Sequence, residues 1–380
     1  MTYRRVLGPA LFGALLMAGL LWWAGSSAHA LSLPGATRFF GPDQANRLVA
    51  WTMPWSTDLP SASRFSEPSG AVGHGADYAD LRETAMRVRY AALVLLFAGG
   101  ALPLLRRLPG RGVRRAMACT AALWGWGVAA AVLAVTVSAP WMVASGGSAS
   151  FRLLPRLAST MAQGRELPVG AALVAAAAAT GLVTLLRGEA TTQTRAAMPS
   201  AATARLAATL GTLVVALALV VLSNDRVAGH IQTGVGGGGR LSEPGDLLRQ
   251  WVQLSAWTMP SGSGSGRWLL YRLGDVALLA LVWWGLRLLP VLLDRVTYPA
   301  CVLGAVAATT LGVVMSGVWN SLLSYQGSTG GPLLYYVSIG SGVSAALVFG
   351  ALAGCASALT LRLRTRPQPP APAAVRPRPA

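Results

Sequence analysis

The sequence predicts an all-α integral membrane protein with about eight transmembrane helices, arranged as two parallel four-helix repeats with long outer loops. Only 12% of the 380 residues are charged, whereas a soluble domain has about 25%. Several runs of about 20 residues carry no charge, and that length crosses the hydrocarbon core of a bilayer. The pentapeptide Ala-Trp-Thr-Met-Pro at 50–54 recurs at 256–260, and each copy follows one apolar span and precedes three more.

The distribution of arginine predicts the orientation. All 31 basic residues are Arg, and the net charge is +18. The arginines are densest in short segments between spans, such as 106–115, which has five arginines and no acidic residue. Cytoplasmic loops carry such an excess, so we expect a prokaryotic-type plasma membrane with both the N- and C-termini cytoplasmic. Because the excess arginine flanks apolar spans, it indicates topology and not nucleic-acid binding.

Residues 1–187 form the predicted first four-span repeat, with an outer loop at 31–87. Ala28-His29-Ala30 resembles the cleavage site of a signal peptide. The apolar stretch before it is long for a signal core, and the second half has an equivalent span, so we expect span 1 to be retained. The predicted spans are Val6–Gly25, Val88–Leu105, Met117–Val137 and Val169–Leu186.

Two polar segments of the first half are predicted to lie outside. In the first, Pro42 and Asp43 open a helix that Pro54 ends, because the residue before proline is pushed out of the helical region. The Ser, Pro and Gly content from Trp55 to Asp77 then predicts irregular loop. The second outer loop is predicted at 138–168.

The second half begins after a predicted cytoplasmic linker at 188–205. Residues 206–362 form the second four-span repeat, with an outer loop at 224–267 in which Leu247, Trp251, Leu254 and Thr258 have helical spacing. Residues 363–380 are rich in Pro, Ala and Arg and are predicted to be a disordered cytoplasmic tail. The predicted spans are Leu206–Leu222, Trp268–Leu289, Thr297–Val318 and Leu334–Leu361.

The two halves correspond at further positions. Ser138-Ala-Pro-Trp141 ends span 3 and Ser316-Gly-Val-Trp319 ends span 7. Arg87 before span 2 corresponds to Arg272 at the start of span 6. Four spans separate equivalent positions, so the halves share one orientation, as in transporters with parallel repeats.

The repeated pentapeptide supplies the first candidate binding residues, Trp51, Met53, Trp257 and Met259. These side chains could face a substrate or partner across the interface between the repeats. The alternative is an amphipathic segment at the membrane surface, because indole is favoured at headgroup depth.

Three ionisable residues at the outer membrane boundary form the second candidate site. Arg87 and Arg272 could bind an anion together. Asp275 lies one helical turn after Arg272, so the alternative is an ion pair within span 6. A carboxylate within an apolar span is expensive unless it is paired or reaches water.

Two further clusters have competing interpretations. His74, Asp77, Asp80 and Glu83 could act as acid and base or bind metal, but they match no metal-binding motif and fit a solvated helix start equally well. Ser338, Ser341 and Ser344 with Gly350 and Gly354 on span 8 could line a polar pathway, although such residues are typical of helix packing. No metal site is predicted.

Several classes of function are disfavoured. The segment 234–239 has the G-x-G-x-x-G spacing but lacks the βαβ context of a dinucleotide site. The chain has no lysine and therefore no Walker A motif, so no nucleotide and no cofactor are predicted. Most spans lack ionisable residues in their middles, which disfavours a proton-driven antiporter. The three cysteines, Cys119, Cys301 and Cys355, lie within spans, so no disulfide framework is expected.

These observations predict a permease or permease-like subunit without its own ATP motor. A membrane scaffold subunit that binds a partner is the first alternative. A membrane enzyme that acts on a lipid-linked substrate at the outer face is the second, and catalysis is the less favoured reading. The expected partners are the lipid bilayer and, in the scaffold alternative, another membrane protein.

Overall fold

The computed structural model describes 3–57, 74–107, 113–145, 153–186, 200–222, 243–254, 265–292, 297–324 and 339–364, together with residues 224, 227 and 230. These residues are helical apart from short turns, and they contain no strand. Eight of the helices are long and apolar enough to cross a membrane. The chain is therefore an all-helical protein with the composition of a multi-pass membrane protein, as the sequence predicts.

The helices fall into two groups along the chain. The first group, in chain order, comprises α1 (Tyr3–Ser26), α2 (Ala28–Leu31), α3 (Pro34–Phe40), α4 (Pro42–Thr52), α5 (His74–Arg107), α6 (Val113–Ala144), α7 (Leu153–Ala162) and α8 (Leu167–Leu186). The second group comprises α9 (Ala201–Leu217), α10 (Glu243–Val252), α11 (Ser265–Leu292), α12 (Tyr298–Ser324) and α13 (Val343–Arg364). A 3-10 turn (Met53–Trp55) follows α4, and a π-helical turn (Ala218–Leu222) extends α9.

The four long helices of each group pack as a closed ring. In the first group α1 contacts α5, α5 contacts α6, α6 contacts α8, and α8 returns to α1. In the second group α9 contacts α11, α11 contacts α12, α12 contacts α13, and α13 returns to α9. The groups meet chiefly through α6 and α12, the third long helix of each. We call this contact the seam.

Glycines allow the helices to approach closely. A Cβ placed on Gly13 would lie 3.1 Å from the Phe97 ring, and one on Gly127 would lie 3.0 Å from it. Phe97 is fully buried and lies against these glycines of α1 and α6. At the seam, a Cβ on Gly125 would overlap the carbonyl of Ala307. Small residues are favoured where membrane helices pack backbone to backbone.

The seam predicts a strong effect of side-chain size. We expect Gly125→Leu to lower the unfolding midpoint in detergent, because overpacking a well-packed core costs typically about 1–3 kcal/mol and here the obstacle is a backbone carbonyl. Gly99→Leu on α5 is the matched control, since a Cβ there meets no atom within 4 Å. Equal midpoints for the two variants, measured by thermal unfolding, would contradict this packing.

The glycine pair on α13 has a packing role. Cβ atoms on Gly350 and Gly354 would lie 2.8 and 2.6 Å from the Cα atoms of Val306 and Val302 on α12. The helix-packing interpretation of these two glycines is therefore confirmed.

The start of the last helix differs from the prediction. The first six predicted spans lie within observed helices, but α13 begins at Val343 and not at Leu334. Gly340 and Gly342 precede it with φ values of +89° and +84°, a conformation that a right-handed helix does not contain. Ser341 therefore lies in a turn before the helix, and Ser338 lies outside the described residues. The predicted serine stripe along span 8 is wrong for Ser341.

The segment after α1 is more ordered than its composition suggests. The helix predicted to begin at Pro42 and end before Pro54 is confirmed as α4, which ends at Thr52. The prediction of irregular loop from Trp55 is wrong for that residue, which lies in the 3-10 turn and is 0% exposed. In the second half, α10 ends at Val252, and Thr258 lies outside the described residues.

The short helices share one side of the bundle. Successive long helices run in opposite directions, so the connections that contain α2–α4, α7 and α10 all lie at the same end; we call it the loop side. The 34 residues of α5 span about 50 Å, which exceeds the roughly 30 Å of the hydrocarbon core. The candidate span within α5 begins at Tyr78, so the first turn, from His74, precedes that span on the loop side.

Candidate functional site

The loop side of the first ring is closed by Trp55. Its indole is fully buried, and Nε1 donates a hydrogen bond to the Gly164 carbonyl at 2.9 Å. The Tyr90 hydroxyl donates to the Trp55 carbonyl at 2.7 Å. Gly25 has no side chain where that carbonyl approaches α1, since a Cβ there would overlap it. We call residues 52–56 the Trp55 plug.

Arg89 anchors the plug from the α5 side. The residue is 1% exposed, its Nε donates to Ser138 Oγ at 2.8 Å, and its Nη1 donates to the Pro54 carbonyl. The guanidinium also lies 5.7 Å from the centroid of the Trp55 ring, a cation–π arrangement. Buried charges persist when hydrogen bonds satisfy them, so Arg89 joins the plug to α5 and α6.

Helical register explains the burial of Arg89. It precedes Leu93 and Phe97 by four and eight residues, and all three side chains face the interior of the ring. Arg87 lies on another face, where its side chain is 75% exposed and pairs with Glu83. Arg89 thus places a charged side chain on the interior face of α5, whereas Arg87 does not.

The second ring has its own buried charges near the loop side. Arg272 Nη1 donates to Asp275 Oδ2 at 2.7 Å, and the side chains are 11% and 9% exposed. Arg272 also lies 5.7 Å from the centroid of Trp268. The pairing that the spacing of three residues predicts is present. It gives each charge a partner in a site where an isolated charge would be costly.

Residues around this pair connect α11 to α12. The Trp319 indole donates to the Leu270 carbonyl at 2.8 Å. A Cβ on Gly274 would lie 2.8 Å from the Trp319 ring and 3.4 Å from Ser316 Oγ. Ser316 is 3% exposed. The segment Ser316–Trp319 of α12 therefore lies directly beside the helix that carries the ion pair.

A polar contact joins the two groups on the loop side. Arg165, which follows α7, is 8% exposed and donates to Ser344 Oγ on α13 at 3.4 Å. With its amide nitrogen turned toward α7, Gln250 on α10 donates to the Ala158 carbonyl at 3.1 Å and accepts from Arg165. Gly340 lies against the Arg165 backbone and Cβ. We call these residues the polar junction.

The charge of the polar junction is retained at neutral pH. Burial lowers the pKa of Arg165 to about 10, which still leaves the guanidinium protonated at pH 7. Burial raises the pKa of the neighbouring Glu166, because desolvation disfavours the carboxylate. The junction therefore presents a buried cation to α13.

The structure places the predicted binding residues in different environments. Trp51 and Met53 are half-buried at the end of α4, whereas Trp257 and Met259 lie outside the described residues. Arg87 is exposed and Arg272 is buried, each with its own carboxylate. Of the arginines on α5, Arg89 and not Arg87 shares the buried environment of Arg272.

The acidic residues before span 2 form no described site. Asp80 is exposed, and Glu83 pairs with Arg87. His74 and Asp77 lie in the first turn of α5, but their side chains are outside the described part. Among the side chains that the structure describes, no group of three His, Cys, Asp or Glu could hold a metal ion.

Sequence reasoning did not select Trp55, Arg89, Ser138 and Arg165 as candidate site residues, although the structure places them in buried hydrogen-bonded contacts. The signal for Arg89 is available, because a register of four residues places it with Leu93 and Phe97. Trp55 directly follows the repeated pentapeptide, but only contacts with distant residues show its role. Arg165 has no local signal, since its partners on α10 and α13 are at least 85 residues away.

Comparison with family models, with curated proteins and with solved structures gave no match for this chain. The functional argument therefore depends on the chain's own geometry.

Proposed function

We propose that this chain is a permease-like subunit of a prokaryotic-type plasma membrane, without an ATP motor of its own, built from two parallel four-helix repeats. One observation carries the proposal. The two groups of long helices pack in the same ring order and meet at the third helix of each. Transporters with parallel repeats relate their halves by an axis along the membrane normal and bind substrate between them.

Corresponding residues support the repeat. Ser138 and Ser316 lie near the loop-side ends of α6 and α12 and are both buried. In each group the second long helix brings a buried arginine to the loop side, Arg89 on α5 and Arg272 on α11. Arg89 contacts Ser138 directly, and Ser316 lies beside Gly274, two residues after Arg272.

The arginines support an orientation with the loop side outside. Arg106, Arg114 and Arg115 lie at the end opposite the loop side, as do Arg362 and Arg364 at the end of α13. The excess of arginine in the short segments there marks the cytoplasmic side. Both termini are then cytoplasmic, since α1 begins and α13 ends on that side.

Two contacts between the groups differ in how easily they separate. The seam is apolar and backbone to backbone at Gly125 and Ala307. The polar junction consists of hydrogen bonds that water can replace, so its opening costs little net hydrogen-bond energy. This contrast supports a motion in which the junction opens on the loop side while the seam acts as the pivot.

Distance measurements between spin labels in proteoliposomes test the motion. Ser159 on α7 and Leu248 on α10 are exposed on opposite sides of the polar junction. With the three native cysteines replaced by alanine, the pair Ser159→Cys and Leu248→Cys should report two distances. The pair Asp80→Cys and Ser159→Cys lies within the first group and should report one.

Weakening the junction should shift the populations. Arg165→Gln removes the buried cation. It should increase the fraction of molecules that show the longer distance between labels 159 and 248, without changing the distance reported by the control pair. A single distance that Arg165→Gln leaves unchanged would overturn the permease-like function.

One observation favours a partner-binding scaffold as a second candidate. Among the described residues of the spans, both buried arginines are held by protein groups. Arg89 donates to Pro54 and Ser138, and Arg272 pairs with Asp275. Such contacts hold helices together in a rigid protein, and they do not by themselves form a pathway for polar solutes. Two results together would favour this candidate. The labels would report a single distance, and a stoichiometric protein partner would bind the wild type but not the variant Trp51→Ala, which changes a half-buried residue.

A further inference from the structure

A groove of about 640 Å³ runs along the outside of the first ring between α1 and α5. Leu15, Gly19 and Trp22 line it on α1, and Ala91 and Leu95 line it on α5. The groove is open along its outer side, and its lining is almost entirely apolar. The groove lies in two candidate membrane spans, so membrane lipid is the medium that fills it.

The groove has the shape and surface that an acyl chain requires. Two small residues, Gly19 and Ala91, form its floor. A Cβ on Gly19 would meet no atom within 4 Å, and Ala91 is exposed, so neither position fills the groove. Leu15 and Leu95 form its walls and are 60% and 72% exposed. From Leu15 to Trp22 the helix rises roughly 10 Å, which fits within one leaflet of roughly 15 Å.

The groove opens toward the loop side at its aromatic end. Trp22 and Tyr90 lie at that end, and Trp22 is 56% exposed. Tryptophan and tyrosine are favoured at the boundary between hydrocarbon and headgroups. A lipid in the groove therefore has its headgroup beside this end of α5.

Two charges continue the same face of α5 beyond the groove. Leu95, Ala91, Arg87 and Glu83 follow one another at steps of four residues, which lie on one face of a helix. The Arg87 and Glu83 side chains are 75% and 59% exposed and pair with each other. Moving outward from the hydrocarbon, the face presents an apolar groove, then a cation, then an anion.

We propose that this face binds a phospholipid whose phosphate is followed by a primary ammonium, as in phosphatidylethanolamine. The acyl chain fills the groove, the phosphate contacts Arg87, and the ammonium donates hydrogen bonds to Glu83. The order of charges in the headgroup matches the order on the helix. A glycerol headgroup offers Glu83 no cation, and a choline headgroup has no N–H to donate.

Native mass spectrometry of the full chain in detergent tests the site. Delipidated protein is titrated with phosphatidylethanolamine, phosphatidylglycerol and phosphatidylcholine that carry identical acyl chains. We expect one phosphatidylethanolamine to bind at least about fivefold more tightly than either other lipid, since one charged contact at a membrane surface corresponds to about fivefold in affinity.

Two variants separate the groove from its surroundings. Gly19→Phe fills the groove and should remove this lipid for all three headgroups. Gly8→Phe is the matched control on the same helix, because a Cβ there also meets no atom within 4 Å, and it should bind as the wild type does. Equal binding by these two variants would overturn the proposal.

Reversal of the charges tests the headgroup. The double variant Glu83→Arg/Arg87→Glu keeps an ion pair one turn apart but inverts its order along the membrane normal. It should still bind lipid in the groove but lose the preference for phosphatidylethanolamine. An unchanged preference, or a protein instead of lipid bound at the groove, would overturn the proposal.

Discussion

Replacement of Trp55 by alanine is expected to lower the free energy of unfolding by about 3–5 kcal/mol, the range for large buried aromatic residues. The indole is 0% exposed, and its loss leaves a void above the first ring. It also removes the only donor that the structure describes for the Gly164 carbonyl. Unfolding in mixed micelles of sodium dodecyl sulfate and mild detergent measures the difference.

Two variants make this test specific to the plug. Trp55→Phe keeps most of the apolar volume and should cost about 1 kcal/mol, close to the net worth of one hydrogen bond. Trp22→Ala removes a tryptophan that is 56% exposed to lipid and should have little effect. If Trp55→Ala lowered the free energy of unfolding no more than Trp22→Ala does, the segment after α4 would not close the ring.

Removal of Asp275 alone is expected to destabilise the chain by about 3–5 kcal/mol, because it leaves a buried arginine without its carboxylate. The double variant Arg272→Met/Asp275→Leu should recover most of that loss, since a buried pair replaced by apolar residues is often neutral. The same micelle unfolding experiment gives the free energies of the wild type, the single variant and the double variant, and adding Arg272→Met gives the coupling between the positions.

The exposed pair on α5 provides a comparison for the buried one. Glu83→Gln breaks an ion pair whose side chains are 59% and 75% exposed, and such pairs contribute about 0–1 kcal/mol. A loss for Asp275→Leu as small as that for Glu83→Gln would mean that water reaches the pair on α11.

The long helices could be predicted because their determinants are local. Each apolar run is about as long as the membrane is thick, and arginines mark its ends. The start of α13 could not be predicted in the same way, because residues 333–343 are largely apolar and continue the run. The positive φ angles of Gly340 and Gly342 mark that boundary, and two residues distant in sequence, Arg165 and Leu254, approach these glycines.

The buried arginine of α5 was not predicted from the sequence, and for a definite reason. Matching the halves by distance from the membrane boundary selects Arg87, whereas the fold distinguishes arginines by the face of the helix they occupy. Two residues along α5 separate an exposed arginine from a buried one. Trp55 illustrates a second limit, because composition predicts an irregular segment there. Its hydrogen bond to a residue 109 positions later produces the order.

Ring closure by α1 and α8 has a consequence for biosynthesis. Gly164, the partner of the plug, is synthesised just before α8, and α1 meets its neighbour α8 only after the ribosome has made that fourth long helix. Until then α1, α5 and α6 wait in the bilayer without the α8 neighbours of Gly13 and Gly127. The seam face of α6 waits longer, until α12 has been inserted. A nascent chain stalled before residue 167 would therefore expose Trp55 to proteases, and one released after residue 186 would protect it.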